Sequence, residues 1–175
     1  MNSISSVNSA NNDNPSILVL GVGNPILSDD GVGIHIVREL QKKFSHIPNL
    51  EFDEMSTGGL SLAERFIDYQ RVIMIDAFAL QGGIPGDVYK LSMENLETTI
   101  HTYCAHDCNL ATAFDILKQE LGSERMPEEV VIIGIEVETI NEFSERLTET
   151  VQKAVPKAFA IAEEEIMKAL NQIKS

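Results

Sequence analysis

The sequence predicts an α/β fold, a three-layer sandwich in which a mostly parallel, five-stranded sheet with one antiparallel strand carries helices on both faces. Short β-branched runs alternate along the chain with stretches of apolar residues at helical spacing, and this alternation is typical of such sheets. The runs at 16–23 and 130–137 are almost continuously apolar, which indicates strands buried on both faces. About ten residues after Asp76 the next strand begins. Because a parallel crossover needs a dozen or more residues, that strand is predicted to be antiparallel.

The strands and helices follow one another in a regular order. Strands are predicted at 16–23, 50–55, 71–77, 86–92 and 130–137. The first helix is marked by apolar residues at every fourth position, namely Val32, Ile36, Leu40 and Phe44. Further helices are predicted at 60–69, after a turn at 56–59, then at about 107–121 and at 151–173. Pro156 lies inside the last helix, and we expect a kink or break there because proline removes a backbone donor and clashes with the preceding turn.

Length and composition favour one globular domain. A chain of 175 residues suits a single domain, predicted at 15–175 after a disordered polar tail at 1–14. No apolar run approaches the roughly 18 residues of a membrane span, and the N-terminus lacks the features of a signal peptide. The 27 acidic and 13 basic residues give a formal charge of -14, which would repel nucleic acid. The only cysteines, Cys104 and Cys108, are too few for a secreted disulfide framework and favour a cytoplasmic protein.

The segment GVGNPILSDDGVG at 21–33 looks like a nucleotide-binding glycine loop between a strand and a helix. A dinucleotide fingerprint requires a third glycine where this chain has Ile26, so the match fails. Asp29 and Asp30 stand side by side where the helix should begin. A carboxylate there often caps the helix. One of the two is expected to do so, which leaves the other to point over the carboxyl edge of the sheet, where open α/β folds keep their sites.

Two further residues extend this candidate site. Asp76 ends a buried strand, where an ionised carboxylate is costly unless a positive or protic group meets it. His106 precedes the helix predicted at 107–121. Taken alone, Asp76 could simply start a turn and His106 could be a surface or N-cap histidine. Together with Asp30 they offer two carboxylates and one imidazole, a set suited to zinc or nickel with open coordination positions.

Other metal-binding arrangements are weaker. Cys104, His106 and Cys108 form a C-x-H-x-C segment that could bind a soft metal, but this spacing makes it hard for all three to reach one tetrahedral ion. His35 lies in the first helix, and His46 and His101 lie in polar stretches without neighbouring carboxylates.

At this point the chain shows a family resemblance. The segments GVGNPILSDDGVGIHIVREL at 21–40, STGGLSL at 56–62 and VIMIDAFALQGGIPGDV at 72–88, with the spacing from His106 to Leu110, resemble in this order the hydrogenase maturation endopeptidases. That family trims the C-terminal extension from the large subunit of nickel-iron hydrogenases. The resemblance spans most of residues 17–140. It implies a twisted sheet sandwiched by helices, with metal contacts at Asp30, Asp76 and His106.

The resemblance also implies a function. The chain is expected to be a monomeric endopeptidase, aspartyl-type or metal-assisted, that acts on a nickel-loaded large-subunit precursor. The substrate would supply the nickel, and zinc or cadmium could replace it in vitro. Thr57, Gly58 and Gly59 are expected to contact the substrate. Relatives often carry glutamate at Asp30, an Asp-Gly-Gly-Thr run before Thr57 and proline at Val137, differences that bear on specificity more than on chemistry.

Two other functions remain open from the sequence. A nickel-binding maturation chaperone would use the same three ligands without proteolysis. A nucleotide-binding regulatory domain would require the glycine loop at 21–33 to hold phosphate.

Overall fold

The computed structural model describes residues 16–99, 110–138 and 142–173, and the strands among them form one five-stranded sheet. The strands are β1 (Ile17–Val22), β2 (Leu50–Met55), β3 (Arg71–Phe78), β4 (Val88–Ser92) and β5 (Glu129–Glu136). Their order across the sheet is β2-β1-β3-β5-β4. All neighbours are parallel except β4, which pairs antiparallel with β5. The predicted α/β class and the single antiparallel strand are therefore confirmed.

Helices cover both faces of this sheet. They are α1 (Val32–Phe44), α2 (Gly59–Glu64), α3 (Met93–Thr99), α4 (Leu110–Leu121) and α5 (Glu149–Ile173). Helices α1 and α5 pack against the face that includes Ile17, Val19 and Ile73. Helices α2, α3 and α4 pack against the opposite face, which includes Leu18 and Met74. Successive residues of a strand point to opposite faces, so one short apolar run supplies both layers of the core.

The helices differ in detail from the sequence prediction. Helix α2 ends at Glu64, before the predicted end at residue 69, and the predicted start of α4 at residues 107–109 lies outside the described part of the chain. Helix α3 was missed. Its sequence signal is a reciprocal cap in which Asn95 accepts from the Ser92 N–H and Ser92 Oγ accepts from the Asn95 N–H.

A kink or a break was expected at Pro156, and no break occurs, because α5 runs through this residue. Pro156 lies on the exposed side of the helix. The carbonyl of Gln152, which loses its helical partner at a proline, is carried by an exposed residue as well. Water can satisfy that carbonyl, which lowers the cost of the proline. Among the described residues, no helix is long and apolar enough to cross a membrane.

Candidate functional site

The parallel strands β1, β2, β3 and β5 all end at one edge of the sheet, here called the carboxyl edge. Strand β1 lies between β2, the next strand in sequence, and β3. The chain therefore leaves β1 towards one side of the sheet and returns on the other, which makes the gap between the ends of β1 and β3 a topological switch point. Gly21 pairs with Ile75, so Val22, the last residue of β1, lies beside Asp76. The sequence-predicted site falls at this gap.

The glycines of the segment at 21–33 allow backbones to approach each other at the switch point. Gly23 has a φ of 133°, and a Cβ built on it would overlap the carbonyl oxygen of Asp30. A Cβ on Gly33 would overlap the carbonyl oxygen of Ile75 and lie 2.7 Å from that of Val22. The first turn of α1 is thus pressed against the ends of β1 and β3. Contacts with backbone fill the positions where a nucleotide loop would need open space for phosphate.

Asp29 has a structural role that the sequence did not reveal. It lies in a 3-10 turn at Ser28–Gly31, and its side chain is fully buried. Its Oδ1 accepts the Thr148 N–H at 2.7 Å, and its Oδ2 accepts the Thr148 hydroxyl at 2.9 Å. The N-cap residues of the 3-10 turn and of α1 are Leu27 and Gly31, neither of which forms a side-chain cap, and both aspartates lie in the first turn of the 3-10 segment. Asp29 instead ties the β1 loop to the start of α5.

The segment at 142–148 holds the same turn from the side. Ser28 adopts a left-handed conformation with a φ of 47°, which is uncommon for residues other than glycine. Its N–H donates to the Ser144 carbonyl at 2.7 Å, and its hydroxyl donates to the Arg146 carbonyl at 3.0 Å. These bonds offset the cost of the strained backbone. The turn that carries Asp30 is therefore fixed from two directions.

Asp30 and Asp76 are buried at the ends of neighbouring strands, with exposed fractions of 4% and 0%. Asp30 Oδ2 accepts the Asn24 N–H at 2.7 Å, and Asp76 Oδ1 accepts the Ala77 N–H at 2.8 Å. The 3-10 turn with Asp30 comes within 8 Å of β3, Cα to Cα. Asp76 alternates along β3 with Met74 and Phe78, so its side chain faces the layer that contains α4. Both carboxylates are thus held in fixed orientations at one edge.

The third predicted ligand, His106, lies outside the described residues, as do Cys104, Cys108 and His101. Helix α4, the next described element in the sequence, has a defined direction. It ends at Leu121, shortly before β5 begins at the opposite edge. Its 12 residues span about 18 Å at 1.5 Å each, so its first residue, the buried Leu110, lies towards the carboxyl edge. His106 precedes Leu110 by only four positions.

No group of three histidine, cysteine, aspartate or glutamate side chains suited to a metal forms within 16–99, 110–138 and 142–173. His46 is exposed and lies between α1 and β2, where the chain returns to the amino edge of the sheet. His35 belongs to α1, on the sheet face opposite to Asp76. Burial and the nearby Arg38 lower the pKa of His35. Of the three predicted ligands, the described part of the chain therefore contains the carboxylate pair Asp30 and Asp76.

Glu136 is a residue that the sequence reasoning missed. It ends β5 with only 2% of its surface exposed, and its Oε1 accepts the Leu80 N–H at 2.8 Å. Gly83 leaves no room for a side chain beside this carboxyl group. Burial raises the pKa of Glu136, and the nearby Asp87 adds to this, whereas the bond from Leu80 opposes it. The available signal was a charged residue inside the otherwise apolar run VVIIGIEV. Glu136 fixes the loop that follows Asp76.

Taken together, the fold and the site define a doubly wound α/β protein with buried carboxylates at its switch point. Comparison with known proteins gives the family. The family model described as "Hydrogenase maturation protease" matches residues 34–165. The chain therefore belongs to the hydrogenase maturation protease family, as its sequence segments predicted, and it is an endopeptidase, a hydrolase.

Individual relatives agree with this family. The hydrogenase 2 maturation protease of Escherichia coli is 27% identical over 157 residues, which cover 89% of this chain and 91% of the relative. The hydrogenase maturation protease HybD of Thermococcus kodakarensis is a solved structure with a TM-score of 0.63 and 28% identity, covering 85% and 97% of the two chains. The HybD endopeptidase structure from E. coli, at 24% identity and a TM-score of 0.63 over 89% and 92%, shows the same fold.

Proposed function

We propose that this chain removes the C-terminal extension from the nickel-loaded precursor of a nickel-iron hydrogenase large subunit. The observation that carries the proposal is the pair of buried carboxylates, Asp30 and Asp76, at the switch point of a hydrogenase maturation protease fold. Carboxylate oxygens are ligands that divalent cations accept in proteins, so a cation carried by the substrate fits this pair.

In this proposal Asp30, Asp76 and His106 contact the nickel that arrives with the precursor. Bound there, nickel polarises the scissile carbonyl or lowers the pKa of a water molecule. The backbone N–H groups of Asn24 and Ala77 hold the carboxylates in place, so little reorganisation is needed when the substrate enters. One carboxylate accepts the proton of the attacking water. The chain's own contribution is therefore orientation and proton transfer.

The substrate's backbone is expected to pass the loop after β2. Thr57 is exposed there, and a Cβ built on Gly59 would meet no atom within 4 Å. This loop adjoins the β1 loop, because the Gly23 N–H donates to the Met55 carbonyl at 2.9 Å. Thr57, Gly58 and Gly59 thus border the carboxylates on the side of the sheet where β2 is the edge strand. This position supports the expected substrate contact.

Replacing Asp76 by asparagine tests the proposal directly. Asparagine keeps the oxygen that accepts from Ala77 but removes the charge, and we expect kcat/KM for a nickel-loaded precursor to fall at least about 100-fold. The matched control is Asp68→Asn at the amino edge, where a φ of 68° suits asparagine equally well. Mass spectrometry of the precursor before and after incubation measures the loss of the C-terminal peptide.

The same measurement separates the proposal from its rival. A chaperone without proteolysis would leave the mass of the precursor unchanged when the wild-type protein is added. Processing by Asp76→Asn at the rate of the wild type would remove Asp76 from the mechanism. A nickel-free precursor is expected to be cleaved slowly or not at all, because it lacks the cation that the carboxylates contact.

A further inference from the structure

Exposed apolar side chains concentrate around the carboxyl edge. Among the described residues, six large hydrophobic side chains are exposed, and four of them lie just after β1, β2, β3 and β5. These four, here called the apolar rim, are Ile26, Leu60, Ile84 and Phe143, with exposed fractions of 49%, 51%, 67% and 83%. Single exposed hydrophobics are ordinary on a protein surface, but a set gathered around one edge indicates a binding surface.

Bonds between the loops hold part of this rim together. The Ser144 N–H donates to the Ile26 carbonyl at 3.1 Å, which places the residue after Phe143 against Ile26 itself. Gly86, two residues after Ile84, packs on Thr150, whose Cγ2 would lie 3.2 Å from a Cβ at that glycine. The β1 loop therefore meets the segment before α5, and the loop after β3 meets the start of α5. A surface built from loops that are tied in this way needs little ordering when a partner binds.

The charges beside the rim are one-sided. In the described loops after β1, β2, β3 and β5, the exposed acidic residues are Asp87, Glu138, Glu142 and Glu145, against the single exposed base Arg146. Phe143 lies directly between Glu142 and Ser144, with Glu145 next. A partner that fits this surface has apolar side chains flanked by lysine or arginine, because complementary charge speeds association and fixes orientation.

We infer that the apolar rim is the docking surface for the folded precursor, and that it binds an apolar segment with basic flanks beside the scissile bond. This inference rests on the proposed function, since it takes the precursor as the occupant. The rim surrounds the edge that holds Asp30 and Asp76, so a polypeptide that delivers its C-terminal segment to these residues must cover it. Docking holds the precursor, and the carboxylates act on it.

The test is an equilibrium titration of labelled, nickel-loaded precursor with the double variant Phe143→Ser/Ile84→Ser. Docking would bury both apolar side chains, so losing them is expected to weaken binding at least about tenfold. The control double variant is Ile116→Ser/Met167→Ser, which removes the other two exposed hydrophobics, on α4 and α5, with exposed fractions of 51% and 46%. It is expected to bind within about twofold of the wild type. Phe143→Leu should retain most of the affinity lost in Phe143→Ser.

Binding and cleavage are read separately in this experiment. Wild-type affinity in the rim variant, or no binding by the wild type, overturns the docking surface whether or not the precursor is cleaved. If binding depends on the rim but the precursor loses no mass, the docking surface is supported and the proteolytic function is contradicted. In cleavage assays the rim variant should raise KM while kcat stays within about twofold, since no rim residue belongs to the carboxylate site.

The charge contribution has its own readout. Glu142→Lys/Glu145→Lys should weaken binding several-fold at low ionic strength, and the difference should vanish in about 0.5 M salt because exposed charges are screened. Equal affinity of this variant and the wild type at low salt would contradict the basic flanks assigned to the partner.

Discussion

The two edges of the sheet handle charge in different ways. At the amino edge, where the parallel strands begin, carboxylates pair with guanidinium groups, as in Arg71–Glu129 and Arg125–Asp68. At the carboxyl edge, two buried acids accept from neutral donors instead, Asp29 from the N–H and hydroxyl of Thr148 and Glu136 from the N–H of Leu80. Ion pairs therefore balance these acids of the first edge, whereas these two acids of the second edge depend on hydrogen bonds from neutral donors.

A cavity lies at the edge of the sheet opposite to the predicted site. A cavity of about 670 Å³ lies at the amino edge, lined by residues that directly precede the strands, including Ser16, Asn49, Gln70 and Glu128. The neighbouring backbones bond to each other there, as in Ile17 N–H to Asn49 carbonyl at 3.1 Å. The cavity is therefore a gap between strand starts.

The largest effect on stability is expected where backbones approach most closely at the carboxyl edge. Gly33→Ala places a methyl group into the carbonyl oxygen of Ile75. Because that oxygen belongs to a central strand, we expect the free energy of unfolding to fall by about 3 kcal/mol, at the upper end of overpacking costs. Gln41→Ala, exposed in the last turns of the same helix, should stay within about 0.5 kcal/mol. Urea denaturation measures both, and equal stabilities would contradict the tight packing.

An intermediate effect is expected from the contact between Asp29 and Thr148. Hydrogen bonds to a buried carboxylate contribute about 1.5–3 kcal/mol, so Asp29→Ala and Thr148→Val should each destabilise the protein. A double-mutant cycle should show coupling between them, because each removes a partner of the other. Arg125→Gln, which breaks an exposed ion pair at the amino edge, is expected to leave stability unchanged within error. Additive losses at Asp29 and Thr148 would show that the contact is not energetically significant.

Apolar patterning predicted the centre of the sheet, because β1, β3 and β5 are buried on both faces and therefore read as short apolar runs. The strands predicted at 50–55 and 71–77 match β2 and β3 within one residue. The antiparallel β4 followed from the short link after Asp76. Helix α3 was not predicted because its seven residues are too few for a periodic apolar pattern. The sequence suggested a break at Pro156, but a helix can tolerate a proline on its solvent-exposed side.

The candidate site was predictable only in part. Asp30 and Asp76 stand out in sequence because each places a charge at the end of an apolar strand or glycine-rich turn. The role of Asp29 depends on Thr148, which is 119 positions away, and no local pattern connects them. Glu136 was hidden because its strand looked completely buried. Long-range contacts of this kind separate a structural acid from a reactive one.

The smallest expected effect is on the pH dependence of stability, which also differs between the two edges. Burial raises the pKa of Glu136 in the folded state above its ordinary value of 4.5. Between the ordinary pKa and the raised pKa, the folded state therefore binds more protons than the unfolded state. The free energy of unfolding contributed by this group therefore falls as pH rises through that window. Glu136→Gln keeps an oxygen for the Leu80 N–H and removes the titration. Its stability relative to the wild type should rise from pH 4 to pH 7.

The control for this pH dependence is Glu128→Gln at the amino edge, where the side chain is exposed. Its unfolding free energy, measured by urea denaturation at each pH, should run parallel to that of the wild type. A constant offset for Glu136→Gln across the same range would mean that the buried carboxyl group does not titrate above its ordinary pKa. In that case the Leu80 N–H, and not burial, would dominate the pKa of Glu136. This acid would then resemble the ion-paired acids of the amino edge.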